Sequence, residues 1–335
     1  MLNRPGTYNV GEGICARAGP TGSWQAPPRR VMLAYRRVMD NQAEVREFLA
    51  TRRAKIGPEQ AGVPLYGNRR RVPGLRREEV AQLAGLSTDY YTRLEKGNLR
   101  SASESALDAI SRALQLDEAE RAHLRDLART ARDGARPARR RIPAKQVRPS
   151  LQHLLDAMTG AAATIVNGRL DVLASNALAR GLQAAVFDTP AQPPNLARYC
   201  FLDPRSHDFY DTWSAIADVT VAILRTEAGR DPHNRALTDL VGELATRSEE
   251  FRTRWARHDV RLHQHGTKLF HHAVVGDITL NYNAVPLPAD PGLSLTAYTA
   301  EPASSSADKL ALLASWAATP ASDPEDSPAG GSSHP

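Results

Sequence analysis

Five side chains in one short segment of the chain have the chemistry to contact the edges of DNA base pairs. They are Ser87, Thr88, Asp89, Tyr90 and Arg93. Serine and threonine hydroxyls can bond any base, a carboxylate can accept from cytosine, and an arginine fork fits guanine. The tyrosine can stack or contact a phosphate. Such groups read a sequence when they lie on the first turns of a helix that enters the major groove.

Basic side chains on both sides of this segment are suited to the phosphate backbone. The predicted phosphate contacts are Arg69, Arg70, Arg71, Arg76, Arg77 and Lys96. Such contacts set affinity and register on the duplex but carry no sequence information. The alternative is a pair of helices packed for stability, whose arginines form a solvated face. Glu95 would repel phosphate, and we expect it to contact an arginine of its own domain instead.

The segment from Leu75 to Gly97 has the pattern of two helices joined by a tight turn. Gly85 ends the first helix, because a left-handed backbone costs glycine little. Leu86 is expected to fill the gap between the helices, and Ser87 is a strong N-cap for the second helix. The sequence therefore predicts a helix-turn-helix whose second helix carries the five candidate side chains.

Three further helices surround this pair. Apolar residues recur at helical spacing from Asn41 to Ile56. The pairs Ser101–Glu104 and Asp117–Glu120 have the spacing of capping boxes, so each is expected to begin a helix. Five short helices with brief connections predict a compact all-α domain.

Length and composition indicate the number of domains and the cellular compartment of the protein. The chain has 335 residues, enough for two domains, and a net charge of +6, which suits a polyanionic partner but also fits ordinary solubility. Its two cysteines cannot form a disulfide framework. No apolar run approaches the roughly 20 residues that span a bilayer, and no secretory signal is evident. We therefore expect a cytoplasmic protein without a membrane partner.

Shifts in composition predict the domain boundaries. The predicted parts are a disordered extension at 1–38, a helical domain at 41–131, a basic linker at 132–148, a second domain at 149–316 and a disordered tail at 317–335. Met39 stands directly before the first amphipathic helix. It is therefore an alternative to Met1 as the translation start.

The second domain has a mixed pattern. Two short apolar runs flank Asn167-Gly168, a strong hairpin turn. The region 205–257 is expected to be mainly helical. Strands are predicted at Leu269–Val275, Ile278–Val285 and Leu293–Thr299, and a last helix at about Ser304 to Trp316. A small antiparallel sheet with helices packed on it makes this an α+β domain.

Five histidines lie close together in the sequence: His258, His263, His265, His271 and His272. Alternate positions on a strand could hold a metal, but no cysteine is near. We expect exposed or core histidines and no metal. The chain has no glycine-rich phosphate loop, no nucleophile elbow and no zinc-protease motif. No cofactor, no catalytic residue and no enzyme activity are therefore expected.

The stretch GLRREEVAQLAGLSTDYYTRLEKG resembles the Cro/cI-type (xenobiotic-response-element) helix-turn-helix family, and RRRVPGLRREEVA narrows the likeness to actinobacterial MmyB-like regulators. Blocks resembling their second domain follow in order: RPSLQHLLDAM, GRLDVLASNALARGL, NLARYCFLDP, VGELATRSEEFRTRWARHDVR, HGTK, VGDITLNY and YTAEP. The likeness covers about residues 41 to 316. The sequence differs from the family pattern at two places. The proline that usually precedes the fourth helix is missing, and residues 174–176 read Ala-Ser-Asn where relatives usually have Ala-Trp-Asn.

This resemblance implies a lambda-repressor-like helix-turn-helix domain followed by a PAS-like ligand-binding domain. It also implies a sequence-specific transcription regulator that binds double-stranded DNA, with a small apolar, fatty-acid-like ligand in the second domain. A homodimer on an inverted repeat is expected, because two-fold sites match two-fold proteins. The candidate pocket residues are Asn176, Phe209, Trp213, Arg254, Trp255 and His258. Two alternatives remain for the second domain. It could serve only for dimerisation, or it could be an enzyme domain fused to the DNA-binding domain.

Overall fold

The computed structural model describes residues 41–63, 74–133, 147–189, 192–259 and 264–318. The predicted N-terminal extension lies outside these residues. So do residues 134–146 of the predicted basic linker and residues 319–335 of the predicted C-terminal tail.

Short helices form the N-terminal part of the described chain. They are α1 (Asn41–Lys55), α2 (Arg77–Ala84), α3 (Thr88–Glu95), α4 (Glu104–Ala113) and α5 (Glu118–Asp133), with a 3-10 turn at Leu99–Ser101. Phe48, Leu75, Tyr91, Leu94 and Ile110 are all fully or almost fully buried among them. One apolar core therefore holds α1 to α5 together.

Two capping predictions have different outcomes. Asp117 and Glu120 form the predicted capping box, in which each carboxylate accepts a hydrogen bond from the backbone of the other, at 2.8 and 3.1 Å. The predicted start of α4 at Ser101 is wrong, because Ser101 belongs to the 3-10 turn. Ser103 caps α4 instead, and its hydroxyl accepts from the backbone N–H of Ala106 at 3.1 Å.

The C-terminal part combines helices with one sheet. In chain order its elements are α6 (Pro149–Ala157), β1 (Ala162–Asn167), β2 (Val172–Ser175), α7 (Ala177–Leu182), α8 (Ala184–Phe187), α9 (Leu196–Leu202), α10 (Arg205–Phe209), α11 (Trp213–Arg230), α12 (Arg235–Arg247), α13 (Glu249–Trp255), β3 (His265–His272), β4 (Gly276–Pro286), β5 (Leu293–Thr299) and α14 (Ser305–Ala318). The predicted arrangement of a helix-turn-helix domain followed by an α+β domain is confirmed. That the second domain is PAS-like stays a prediction.

The sheet has five strands in the order β2-β1-β5-β4-β3, and every neighbouring pair is antiparallel. Successive side chains of a strand point to opposite faces. On β1, Ala163 and Ile165 pack with Leu155 of α6, whereas Ala162 and Val166 belong to the larger core on the other side. The sheet therefore has a helix on one face and the main core of the domain on the other.

The turn between β3 and β4 differs from the prediction. The strand predicted at 269–275 begins earlier, at His265, and ends at His272. His272 explains the early end, because its Nδ1 accepts hydrogen bonds from the backbone N–H groups of Val274 and Val275, at 3.1 and 3.4 Å. A side chain within the strand thus stabilises the turn that follows it.

A buried ion pair joins the two domains. Arg225 of α11 is 0% exposed, and its guanidinium donates to the Glu44 carboxylate of α1 at 2.5 and 2.6 Å. The guanidinium also bonds the His258 ring at 2.8 Å and donates to the carbonyl of Trp255. The guanidinium therefore has partners from both domains.

The charge of Glu44 is strongly stabilised in this position. Burial alone would raise its pKa, but the Arg225 guanidinium and the neighbouring rings of His123 and His258 outweigh burial and hold the pKa well below its ordinary value. Glu44 is therefore ionised at neutral pH, and its contact with Arg225 is that of two full charges.

Glu44→Gln should lower the free energy of unfolding by about 3–5 kcal/mol, because it leaves the buried charge of Arg225 without its counter-ion. Chemical denaturation of the full chain measures the change. The control is Asp108→Asn, which breaks an exposed pair with Arg125 and should change stability little. A Glu44→Gln protein as stable as the wild type would contradict the importance of this pair.

Candidate nucleic-acid interface and cavity

Helix α3 begins where the sequence predicts. The Ser87 hydroxyl accepts a hydrogen bond from the backbone N–H of Tyr90 at 3.2 Å, and Gly85 has the left-handed φ of 65° that ends α2. Tyr91 and Leu94 are buried and fix one face of α3 in the core. The opposite face is therefore left at the surface.

The predicted base-contacting side chains lie on this outer face. Ser87, Thr88, Asp89 and Arg93 are exposed, and Tyr90 is half-buried. The guanidinium carbon of Arg93 lies 5.6 Å from the centre of the Tyr90 ring, within the range of a cation–π contact. The Tyr90 ring thus supports the Arg93 side chain, and the hydrogen-bond donors of the guanidinium remain available to a partner.

Glu95 links α3 to α1 and α2 through charged hydrogen bonds. Its carboxylate is almost completely buried and accepts from Arg53 of α1 at 2.9 and 3.3 Å. It also accepts from Arg77 of α2 at 3.1 and 3.3 Å. This is the internal contact that the sequence predicts, and it fixes α3 against both neighbouring helices.

The predicted phosphate contacts have different surroundings. Arg76 is exposed and has a long 3.4 Å contact with Glu78, and Lys96 is exposed at the end of α3. Arg77 has about half of its side chain exposed but is held by Glu95, so it also has a structural role. Arg69, Arg70 and Arg71 lie outside the described residues.

A cavity of about 270 Å³ lies between the sheet and α11. Its α11 wall contains the aliphatic side chains of Ile216, Val219 and Ile223. Thr164 and Thr296 contribute hydroxyls from the opposing strands β1 and β5. Glu227 and Arg230 of α11 also line the cavity, so it combines an aliphatic stripe with several polar and charged groups. Apolar surface together with convergent polar groups is typical of a small-molecule site.

Lys268 of β3 provides a positive charge at the wall of this cavity. Its ammonium lies 4.5 Å from the ring centre of Tyr282 and 5.5 Å from that of Tyr298, and it donates to the Tyr298 hydroxyl at 3.5 Å. Two tyrosines therefore hold the ammonium in place. A cation fixed in a partly apolar cavity is suited to an anionic group of a ligand.

The six predicted pocket residues do not line this cavity. Asn176 caps α7 and donates its amide hydrogens to three backbone carbonyls, those of Leu155, Met158 and Ala161. The Trp213 indole donates to the carbonyl of Cys200 at 3.0 Å. These two side chains are therefore occupied in the structure of the domain itself.

The other four predicted pocket residues also have structural roles. Phe209 packs edge-on and tilted against neighbouring aromatic rings. Arg254 pairs with Asp218 at 3.0 Å, and Trp255 and His258 contact Arg225 at the domain interface. Sequence reasoning missed Lys268, although its place two residues before the buried Phe270 puts it on the inner face of the same strand.

The histidines of the predicted cluster have separate surroundings. His258 lies at the domain interface, His272 stabilises a turn, and His271 bonds Asp277 at 2.7 Å on the surface. His265 is exposed, and His263 lies outside the described residues. Among the residues that the structure describes, no group of histidines, cysteines and carboxylates is arranged to hold a metal ion.

A search of the described helices for membrane-spanning segments found no helix with the length and apolar character required.

Comparison with known families found two matches. The model of the MmyB-like transcription regulator ligand binding domain matches residues 147–313, and that of a helix-turn-helix domain matches residues 45–124. The first region contains the sheet, α11 and the cavity, and the second contains α2 and α3. The comparison with curated proteins found no match.

Glu95→Gln should destabilise the protein by about 1.5–3 kcal/mol, since it weakens charged hydrogen bonds from both Arg53 and Arg77. It should also weaken DNA binding although Glu95 is not at the surface. Chemical denaturation and a duplex-binding titration measure the two effects. The matched control is Glu104→Gln, which affects an exposed pair with Arg132. If both variants behaved alike, the buried carboxylate would have no special role in fixing α3.

Proposed function

The chain belongs to the MmyB-like transcription regulators with a helix-turn-helix domain, and from this premise we propose that it binds a specific duplex sequence through α3 under the control of a ligand held in the cavity. The general activity, DNA-binding regulation of transcription, follows from the two family matches.

The outer face of α3 is the observation that carries the DNA-binding proposal. Its first turn exposes Ser87, Thr88 and Asp89, and one turn later it exposes Arg93. These are the positions from which a recognition helix contacts base edges. Arg93 is the residue best suited to a guanine, because a guanidinium can donate two hydrogen bonds to one base edge. The half-buried ring of Tyr90 orients it.

Arg76 and Lys96, at opposite ends of the helix-turn-helix, are the proposed phosphate contacts among the described exposed cations. Arg77 is a weaker candidate for a phosphate contact, because its guanidinium already donates hydrogen bonds to Glu95. Arg69, Arg70 and Arg71 remain part of the proposal on the strength of their charge and their place before α2. Phosphate contacts of this kind anchor the recognition helix without selecting a sequence.

The proposed ligand is a small amphiphile with an apolar chain and an anionic head, as in a fatty acid. The aliphatic wall of α11 suits the chain, and the Lys268 ammonium suits the head. The cavity favours this function over a second domain that serves only for dimerisation, because a purely structural core would be filled by side chains.

A cytoplasmic homodimer on an inverted-repeat operator completes the proposal. A two-fold protein places two recognition helices on two half-sites, and the symmetry of the operator then matches that of the protein.

Arg93→Ala should weaken binding to the specific duplex by about 1–3 kcal/mol and weaken binding to random duplex much less, because a base contact is lost. Arg76→Ala should instead weaken both and reduce the salt dependence of binding by about one unit of slope. Fluorescence anisotropy over a series of salt concentrations measures both, with a duplex selected from random DNA.

The control for these two variants is Arg125→Ala, which removes an equal charge from α5 and should leave both affinities unchanged. An equal loss for Arg93→Ala on specific and random DNA would exclude a base contact. An unchanged salt slope for Arg76→Ala would exclude a phosphate contact.

Lys268→Met should weaken the binding of dodecanoate at least about tenfold, because it removes the cation and keeps a side chain of similar length. The binding of dodecanol, which has no anionic head, should change little. Isothermal titration calorimetry with the full chain measures both affinities. Equal effects on the acid and the alcohol would show that Lys268 contributes only packing.

A further inference from the structure

Helix α11 has two opposite faces with different neighbours. Ile216, Val219 and Ile223 lie three to four residues apart and line the cavity, so they form one stripe along the helix. Arg225 and Gly229 lie on another stripe and contact the DNA-binding domain. A movement of α11 that changes the cavity must therefore also change the contact between the domains.

The contact with the DNA-binding domain leaves α11 no room to move toward it. A Cβ atom at Gly229 would lie 2.6 Å from Cε1 of His123, which is closer than real contacts allow. The His123 ring cannot turn away easily, because it is buried and packs edge-on against Phe48 with 5.1 Å between ring centres. The domains are thus in close contact at this point.

The charges at the same surface also resist displacement. Arg225 has its counter-ion Glu44 in the other domain, so separating the domains leaves a guanidinium at the surface of α11 without that partner. Thr130 of α5 adds a hydrogen bond to the carbonyl of Gly229 at 3.1 Å. Such a contact is strong in one geometry and weakens sharply when the helix moves.

A ligand that fills the cavity to its walls would press against α11. The cavity volume of about 270 Å³ lies below the ~300–1,000 Å³ that sites for small molecules occupy. The sheet cannot readily provide the missing space, since its strands are hydrogen-bonded to one another and α6 covers its other face. Any widening of the cavity on the α11 side would instead move that helix toward the DNA-binding domain, where it has no room.

We propose that the ligand and the DNA-binding domain compete for the position of α11, so that filling the cavity releases the DNA-binding domain from the Glu44–Arg225 contact. This inference rests on the proposed function, because it assumes a ligand in the cavity. Two sites that bias one element in opposite directions are coupled, and the coupling is reciprocal. Weakening the domain contact must therefore strengthen ligand binding.

Gly229→Ala is the sharpest test of this coupling. Alanine favours a helix more than glycine does, so α11 itself should remain intact. The added methyl group would collide with His123 and hold the domains apart. The matched control is Gly181→Ala in α7, whose Cβ would meet the Ala317 methyl group at 3.5 Å, an ordinary contact. Glu44→Gln is a second variant that weakens the same contact by a different means.

The experiment measures dodecanoate affinity by calorimetry and the radius of gyration by small-angle X-ray scattering, with the full chain of each variant. Gly229→Ala and Glu44→Gln should bind dodecanoate about tenfold more tightly than the wild type, within the usual range of coupling between sites. Both variants should also have a larger radius of gyration, and dodecanoate should enlarge the wild-type protein. Gly181→Ala should match the wild type in both measurements.

The outcomes separate this inference from the proposed function. If all four proteins bind dodecanoate with the same affinity, the coupling is wrong and the ligand site stands. If none of them binds dodecanoate, the ligand part of the proposed function is wrong, and the coupling is then wrong as well. Tighter binding in Gly181→Ala as well would also overturn the inference, because the effect would not come from the domain contact.

Discussion

The buried pairing of Glu44 with Arg225 is the interaction on which the relation between the two domains depends. A carboxylate and a guanidinium removed from water are stable only while they face each other, so this pair permits one arrangement of the domains and penalises others. Glu44 lies on α1, and α1 also carries Arg53, which holds α3 through Glu95. The position of the recognition helix is thus connected to α11 through a single helix.

This arrangement gives the chain a physical route from a cavity to a DNA-reading surface. The cavity lies on one side of α11 and the DNA-binding domain on the other, so one rigid element separates the two sites. Rigid helices transmit displacement because their internal hydrogen bonds resist bending. The proposed regulation then requires no change within the helix-turn-helix itself, only a change in how firmly that domain is held.

The helix-turn-helix could be predicted from the sequence because its determinants are local. Ser87 caps α3, Gly85 ends α2, and the spacing of Tyr91 and Leu94 defines the inner face. The cavity could not be predicted in this way, because its walls come from strands and a helix far apart in the chain. The predicted pocket residues, Trp213 among them, do not line this cavity, and Trp213 packs against the core with its side chain partly buried. Lys268 could have been predicted to face the interior of the domain, because it lies two residues before Phe270 on the same strand.

Everything proposed for this chain requires that the exposed face of α3 recognise a specific DNA sequence. The decisive experiment is the selection of bound duplexes from a random pool by the full chain, at low salt. Successive rounds should enrich one motif that consists of two inverted half-sites one helical turn apart, with ~10 base pairs between their centres. A pool that stays random after repeated rounds, or no retained DNA at all, would contradict this recognition.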